Sequence, residues 1–247
     1  MLPQNDSLRR LPTFVDPVDR VRVEALLFSS DLASLALERI ETRVRSVPWG
    51  PSKLSLAAQR ELFSDAWTIV DATHVLRQLL TIDALENLGE KAKAWHADQS
   101  ATLMRNGMDH LPKNARNAAL KENGNPLFGI LSIFRLKALA ASPLEYQLII
   151  LHAGANAKGA KGNVTIPGSF NHILPSVELC AFGQQLNLAA SVRTFQPVLH
   201  AAADLARRQI SEGAKALGLS EQDVQALRPS IDDYPLTMIM EGTVAGT

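Results

Sequence analysis

The spacing of the apolar residues changes once along the chain, at the turn-forming run Asn-Gly-Asn-Pro at 123–126. Before this run, apolar residues recur every three to four positions, which is the spacing of amphipathic helices. After it they alternate with polar residues, as in half-buried strands. Helical spacing then returns near the C-terminal end. The sequence therefore predicts a mainly α, α+β fold: a helical bundle with a small sheet inserted before the last long helix.

The first predicted helix begins at Asp16, because aspartate is a preferred N-cap and Pro17 fits the first helical position. The run Pro-Trp-Gly-Pro at 48–51 ends this helical region. Between them, the Ser-Ser-Asp cluster at 29–31 is a candidate break that would give two helices. The first region thus predicts one interrupted or two consecutive helices.

Two further helical regions follow. One is predicted from about Leu54 to about Leu80, with an apolar face so broad that it indicates a central, well-covered helix. The next starts near Asp83, which has capping-box spacing to Glu86. Pro112 stops or bends this third helix.

The alternating stretches that follow are joined by short links, which favours an antiparallel sheet. The residues 183–185 are a predicted tight connection between the last two strands. The predicted strands are 128–136, 146–152, 163–166, 177–182 and 186–192.

The last long helix is predicted from about Pro197 to about Leu217, with Gly218 as its C-terminal cap. Ser220 and Asp223 mark a further short helix. This organisation predicts four segments. They are a bundle core at 15–125, a sheet at 126–193, a helix returning to the bundle at 194–218, and a tail at 219–247.

Composition limits the classes of function. The 25 basic and 25 acidic residues cancel, which argues against bulk nucleic-acid binding but allows a small local site. Cys180 is the single cysteine, and no apolar run approaches the ~18 residues that span a membrane. The N-terminal residues also lack the apolar core of a signal peptide. We therefore expect a cytoplasmic protein without a membrane association.

No cofactor or metal is expected either. The six histidines have no ligand spacing, so the sequence predicts no zinc site. The glycine- and lysine-rich loop at 154–162 lacks the spacing of a nucleotide-binding loop and precedes a predicted strand rather than a helix. It is interpreted as a hairpin loop that could touch RNA or a protein partner.

One stretch carries a coherent chemistry, Arg-Asn-Gly-Met-Asp-His at 105–110. Metal-independent RNA cleavage needs an acid or base, for which histidine titrates in the right range. It also needs a fixed positive donor for the phosphate oxygens, which a guanidinium supplies. Arg105 and Asp109 share a helix face, as do Asn106 and His110. Arg105 and His110 point about 140° apart on an ideal helix. They can reach one phosphate only if the long arginine side chain swings round or the helix loosens at Gly107.

The spacing alone is weak. With 16 arginines and 6 histidines, about one arginine–histidine pair with four to six residues between is expected by chance. Arg193 and His200 form a second such pair, across a predicted strand end and Pro197. We interpret that second pair as the chance match.

In context, the stretch resembles the HEPN superfamily, helical bundles found in many prokaryotic toxins and defence ribonucleases. The family signature is an arginine, four to six residues, then a histidine, with Asn, Asp or His after the arginine; Asn106 fits that position. The run Trp-Thr-Ile-Val-Asp-Ala-Thr-His-Val-Leu-Arg-Gln-Leu-Leu at 67–80 also resembles the central helix of uncharacterised members. The resemblance covers about 16–121 and the last long helix, but not the sheet.

The resemblance implies a metal-independent endoribonuclease site at a homodimer interface, with Arg105 and His110 catalytic and Asn106 supporting. It also implies toxin- or defence-type biology, with an antitoxin or nucleotidyltransferase-type partner. Gly107 and Pro112 depart from the pattern, because either could distort the helix. The alternative is a non-catalytic RNA-binding, scaffolding or accessory protein on the same fold.

A polar ridge of Asp71, His74 and Arg77 lies on the otherwise apolar second helix. One interpretation makes Asp71 and His74, with Asp109, a set that supports the Arg105 site or faces its substrate. The other is a solvated face or a locally satisfied buried pair, which is the more common situation for such residues.

Overall fold

The computed structural model describes residues 1–50, 54–80, 88–120, 128–137, 145–153 and 175–229. Within these ranges the chain is mainly helical and carries one four-stranded antiparallel sheet, in agreement with the predicted fold class. The helices are α1 (Pro17–Ser46), α2 (Leu56–Leu79), α3 (Glu90–Ala97), α4 (Ser100–Asp109), α5 (Leu111–Leu120), α6 (Leu188–Ala216) and α7 (Glu221–Ala226). The strands are β1 (Ile130–Leu136), β2 (Tyr146–His152), β3 (Ser176–Ala181) and β4 (Gln184–Asn187).

The start of α1 confirms the predicted cap. The Asp16 carboxylate accepts the backbone N–H of Val18 at 2.8 Å, and Pro17 is the first helical residue. The expected break at 29–31 was wrong, because α1 continues through it to Ser46. Ser29 and Ser30 are both buried, so these small side chains pack on the inner face of an unbroken helix.

In its described part from residue 90 to residue 109, the third helical region forms two helices rather than one. The chain leaves helical geometry at Asp98 and Gln99, and the Asp98 carboxylate accepts the N–H of Ser100 at 2.9 Å as α4 begins. This local cap satisfies a backbone donor at the start of a new helix. The predicted start at Asp83 lies outside the described residues. Pro112 lies in the first turn of α5, after α4 has ended, as expected.

The sheet has the strand order β2-β1-β3-β4. Phe182 and Gly183 form the two-residue turn between β3 and β4, one residue earlier than predicted, and Ala181 pairs with Gln184. The predicted strand at 163–166 and the loop at 154–162 lie outside the described residues.

The start of the last long helix was predicted wrongly. Residues from Leu188 onward are helical rather than strand, and Pro197 lies inside α6. Asn187 explains the difference, because its side chain accepts the N–H of Ala190 at 2.8 Å and so begins the helix. The end of α6 agrees with the prediction, since Gly218 follows with a positive φ of 69°.

The chain divides into two compact units. In the unit formed by residues 1 and 25–202, one face of the sheet packs against α1, α2, α4 and the start of α6. β1 is buried along its whole length. The largest fully buried side chains of this core include Ile40, Leu62, Ile69, Met104, Leu131 and Leu179.

The second unit contains residues 2–24 and the described chain from 203 onward. Its N-terminal segment is held by side-chain bonds: Arg207 pairs with Asp6 at 2.6 Å, and Arg228 donates to the carbonyl of Arg10 at 2.6 Å. The predicted short helix α7 begins with a complete capping box of Ser220 and Asp223. Among the described helices, none has the length and apolar character needed to cross a membrane.

Candidate functional site

The packing of α4 on α2 places Arg105 beside Asp71. Nε of Arg105 lies 3.0 Å from Oδ1 of Asp71, and Nη1 lies 2.5 Å from Oδ1 of Asp109, one turn later on α4. The Arg105 side chain is 37% exposed, and both carboxylates are about half exposed. The structure thus joins three of the predicted site residues in one accessible cluster.

Opposing influences act on the pKa of Asp71 in this cluster. Partial burial raises the pKa of the Asp71 carboxyl above its ordinary value, while the nearby charges of Arg105 and His74 act in the opposite direction. Asp109 repels the Asp71 charge and adds to the increase. The two carboxylates engage Nε and Nη1 of Arg105, so an anionic ligand can approach Nη2 but has to compete with two nearby negative charges.

The residues of the polar ridge on α2 do not all have the same surroundings: Asp71 and His74 lie against the motif helix, while Arg77 is a buried residue bonded locally. Asp71 contacts the candidate arginine, and Nδ1 of His74 lies 3.3 Å from the hydroxyl oxygen of Thr102 on α4. Arg77 is different, because it is only 4% exposed and donates to the carbonyl of Trp95 at 3.2 Å. Arg77 is therefore a locally bonded buried residue, while Asp71 and His74 fix α2 against the motif helix.

Asn106 and His110 do not join the cluster. Both are exposed, and among the described residues neither side chain has a hydrogen-bond partner. Leu103, which is 47% exposed, and Asn106 lie three positions apart on α4, and His110 follows four positions later as its C-cap, so the three lie along one side of the helix end. The end of α4 therefore presents two faces: Arg105 towards α2, and an unpartnered strip carrying His110.

Gly107 does not loosen the helix, because α4 runs through it without interruption. A Cβ at this position would lie 2.4 Å from two ring carbons of Phe182, the first residue of the β3–β4 turn. The Phe182 ring also makes an edge contact with Trp67, at 6.1 Å between ring centroids. Glycine is needed here because an aromatic ring occupies the space of a side chain.

The second arginine–histidine pair has a structural explanation. Arg193 and His200 both lie in α6, not at a strand end as predicted. Nη2 of Arg193 lies 2.6 Å from the Glu41 carboxylate, so this arginine holds α6 against α1. His200 is exposed.

Sequence reasoning missed two contributors, Thr102 and Phe182. Thr102 lies three residues before Arg105, so helical spacing could have placed it on the face towards α2. No local pattern could have identified Phe182, because it is 75 positions from Gly107 and contacts it only through the tertiary fold.

Among the described residues, no three His, Cys, Asp or Glu side chains are grouped closely enough to hold a metal ion. No protein-family model, curated protein or solved structure matches the chain.

Proposed function

We propose that this chain is a HEPN-like, metal-independent endoribonuclease of the toxin or defence type, acting as a homodimer in the cytoplasm. The observation that carries the proposal is the accessible pairing of Arg105 with Asp71, together with an exposed His110 on another face of the same helix end, whose side chain has no hydrogen-bond partner among the described residues. Arg105 would bind the scissile phosphate, and His110 would transfer a proton. Asp71, His74 and Asp109 would orient the arginine before RNA arrives, and Asn106 would support the site.

Two features support a dimer. Arg105 and His110 lie on different faces of α4, so one copy does not bring them to one phosphate, whereas a second copy would add another pair from the opposite side. Leu103, on the face of His110, and Val75, one turn after Asp71 on α2, are exposed apolar side chains and provide a surface for that second copy. The antitoxin or nucleotidyltransferase-type partner implied by the family would cover the same region.

The second candidate function is non-catalytic RNA binding or scaffolding on the same fold. The scaffolding form of this function is favoured by the two carboxylates on Arg105, which leave the cluster with more negative than positive charge before any ligand binds. Such a charge balance weakens phosphate binding and suits a cationic protein partner better.

The two functions predict different results for purified protein incubated with a broad RNA panel in EDTA. A ribonuclease cleaves, and Arg105→Ala or His110→Ala lowers the rate by about 10²- to 10⁴-fold. His200→Ala is the matched control, because it removes an exposed histidine of the second arginine–histidine pair, and its rate should equal that of the wild type. No cleavage by a folded wild-type dimer would contradict the ribonuclease and favour the binding protein.

A further inference from the structure

Phe182 has an unfavourable backbone for its side chain. It is the only non-glycine residue with positive φ in the described part of the chain, at 53°. Two-residue hairpin turns of this kind strongly prefer asparagine, aspartate or glycine, because a bulky side chain is strained in the left-handed region. Strain of this type persists where the surrounding structure compensates for it. The ring of Phe182 must therefore make contacts that offset its backbone.

Those contacts lie at the candidate site. The ring rests on Gly107, midway between Arg105 and Asp109. Only glycine leaves room for the ring there, because any other residue would place a Cβ in the same space. It also touches Trp67, one helical turn before Asp71. Trp67 is held in turn, since its Nε1 donates to the carbonyl of Phe128 at 3.2 Å.

We propose that Phe182 is a positioning residue: its ring, seated on Gly107 and against Trp67, fixes α4 against α2 so that Arg105 keeps its ion pair with Asp71. The same side chain thus joins the turn of α2 that precedes Asp71 to the turn of α4 that follows Arg105. The β3–β4 hairpin is in this way part of the site, although it lies outside the resemblance to the HEPN bundle. The consequence for RNA cleavage rests on the proposed function, while the consequence for the Arg105–Asp71 ion pair does not.

The direct test measures hydrogen exchange of the Arg105 Nε–H group by ¹⁵N NMR, with the resonance assigned by Arg105→Lys. Phe182→Leu removes the ring and should accelerate this exchange by roughly tenfold or more, because the ion pair that shields the Nε–H group from water opens more often. Phe182→Tyr retains the ring and should restore slow exchange. Phe134→Leu is the matched control, because it removes a buried ring that stacks on Tyr146, a contact not shared with α4.

Unchanged exchange in folded Phe182→Leu, or equal acceleration in Phe134→Leu, would overturn the proposal and leave Phe182 as ordinary packing. If Phe182→Leu does not fold, Gly107→Ala tests the same contact from the other side, because its Cβ would displace the ring. That variant should also accelerate Arg105 exchange, and wild-type exchange in it would overturn the proposal.

RNA cleavage supplies the second measurement. Phe182→Leu should lower kcat, with Phe182→Tyr close to the wild type, since the arginine is misplaced rather than removed. A wild type that cleaves no RNA contradicts the proposed function alone, because the exchange measurement still decides whether Phe182 positions Arg105. A cleaving wild type with unchanged kcat in Phe182→Leu contradicts the positioning role alone.

Discussion

Two arginines of the same compact unit, Arg135 and Arg105, are held in opposite ways. Arg135 on β1 is 6% exposed and donates to the carbonyls of Val44 and Val47 at 2.5 Å each, at the C-terminal end of α1. Its Nε donates to the side chain of Gln147 at 2.8 Å, and its guanidinium lies over the Trp49 ring, 4.5 Å from the centroid. Its acceptors are uncharged groups fixed by the backbone and by a neighbouring strand.

Arg105 is more exposed, and both of its partners are half-exposed carboxylates at the surface. A guanidinium bonded to the end of a helix closes that end and benefits from the helix dipole. A guanidinium shared by two exposed carboxylates can exchange one of them for a phosphate oxygen. The difference separates an arginine that builds the fold from one that is available to a ligand.

The largest expected effect is on Arg135. Arg135→Met should lower the free energy of unfolding by about 2–4 kcal/mol, because buried carbonyls lose their donor and each unsatisfied group costs roughly 1–3 kcal/mol. Urea denaturation measures the change. Arg22→Met, which removes an exposed arginine paired with Asp19, is the control and should change stability by less than about 1 kcal/mol. A comparably small effect for Arg135→Met would remove the distinction between the two arginines.

Local rules predicted much of this fold. Asp16 and Pro17 identify the start of α1, and the change of period at 123–126 separates the helices from the sheet. The errors occur where a local signal meets a tertiary contact. Pro197 resembles a helix start, yet α6 already begins at the Asn187 cap and accommodates the proline within the helix.

In the candidate site, too, contacts within one helix could be predicted from the sequence and contacts between elements could not. Helical spacing predicts that Arg105 meets Asp109, and the structure has that pair. Helical spacing cannot predict that Asp71 is the second partner of Arg105, because this depends on how α2 packs on α4. The expected distortion of the helix at Gly107 was wrong for the same reason. Gly107 instead makes room for the Phe182 ring, which only the tertiary fold brings to it.

A smaller effect is expected for Arg105. Arg105→Ala should change the free energy of unfolding by less than about 1 kcal/mol, because exposed ion pairs are weak and screened by salt. A double-mutant cycle with Asp71→Ala should give a coupling of about 0.2–1 kcal/mol that shrinks at high salt. A coupling above about 2 kcal/mol that is independent of salt would make Arg105 a structural arginine like Arg135.

The smallest expected effect is the contribution of Asp71 to the pH dependence of the free energy of unfolding. Because partial burial raises its pKa above the ordinary value, the folded protein holds this proton more tightly than the unfolded chain. The contribution of Asp71 to stability is therefore fully present below the ordinary pKa and is lost as pH rises through the folded pKa. Asp71→Asn should abolish that loss, so the stability of the variant relative to the wild type should increase across this window.

An NMR titration of the Asp71 carboxyl tests which influence dominates the site. Its pKa should lie above the ordinary value in the wild type and rise further in Arg105→Ala, because the opposing positive charge is then gone. A wild-type pKa below the ordinary value would mean that attraction to Arg105 exceeds the effect of burial. The pair would then be tight at rest, Arg105 would resist exchange with a phosphate, and the non-catalytic alternative would gain support over the ribonuclease.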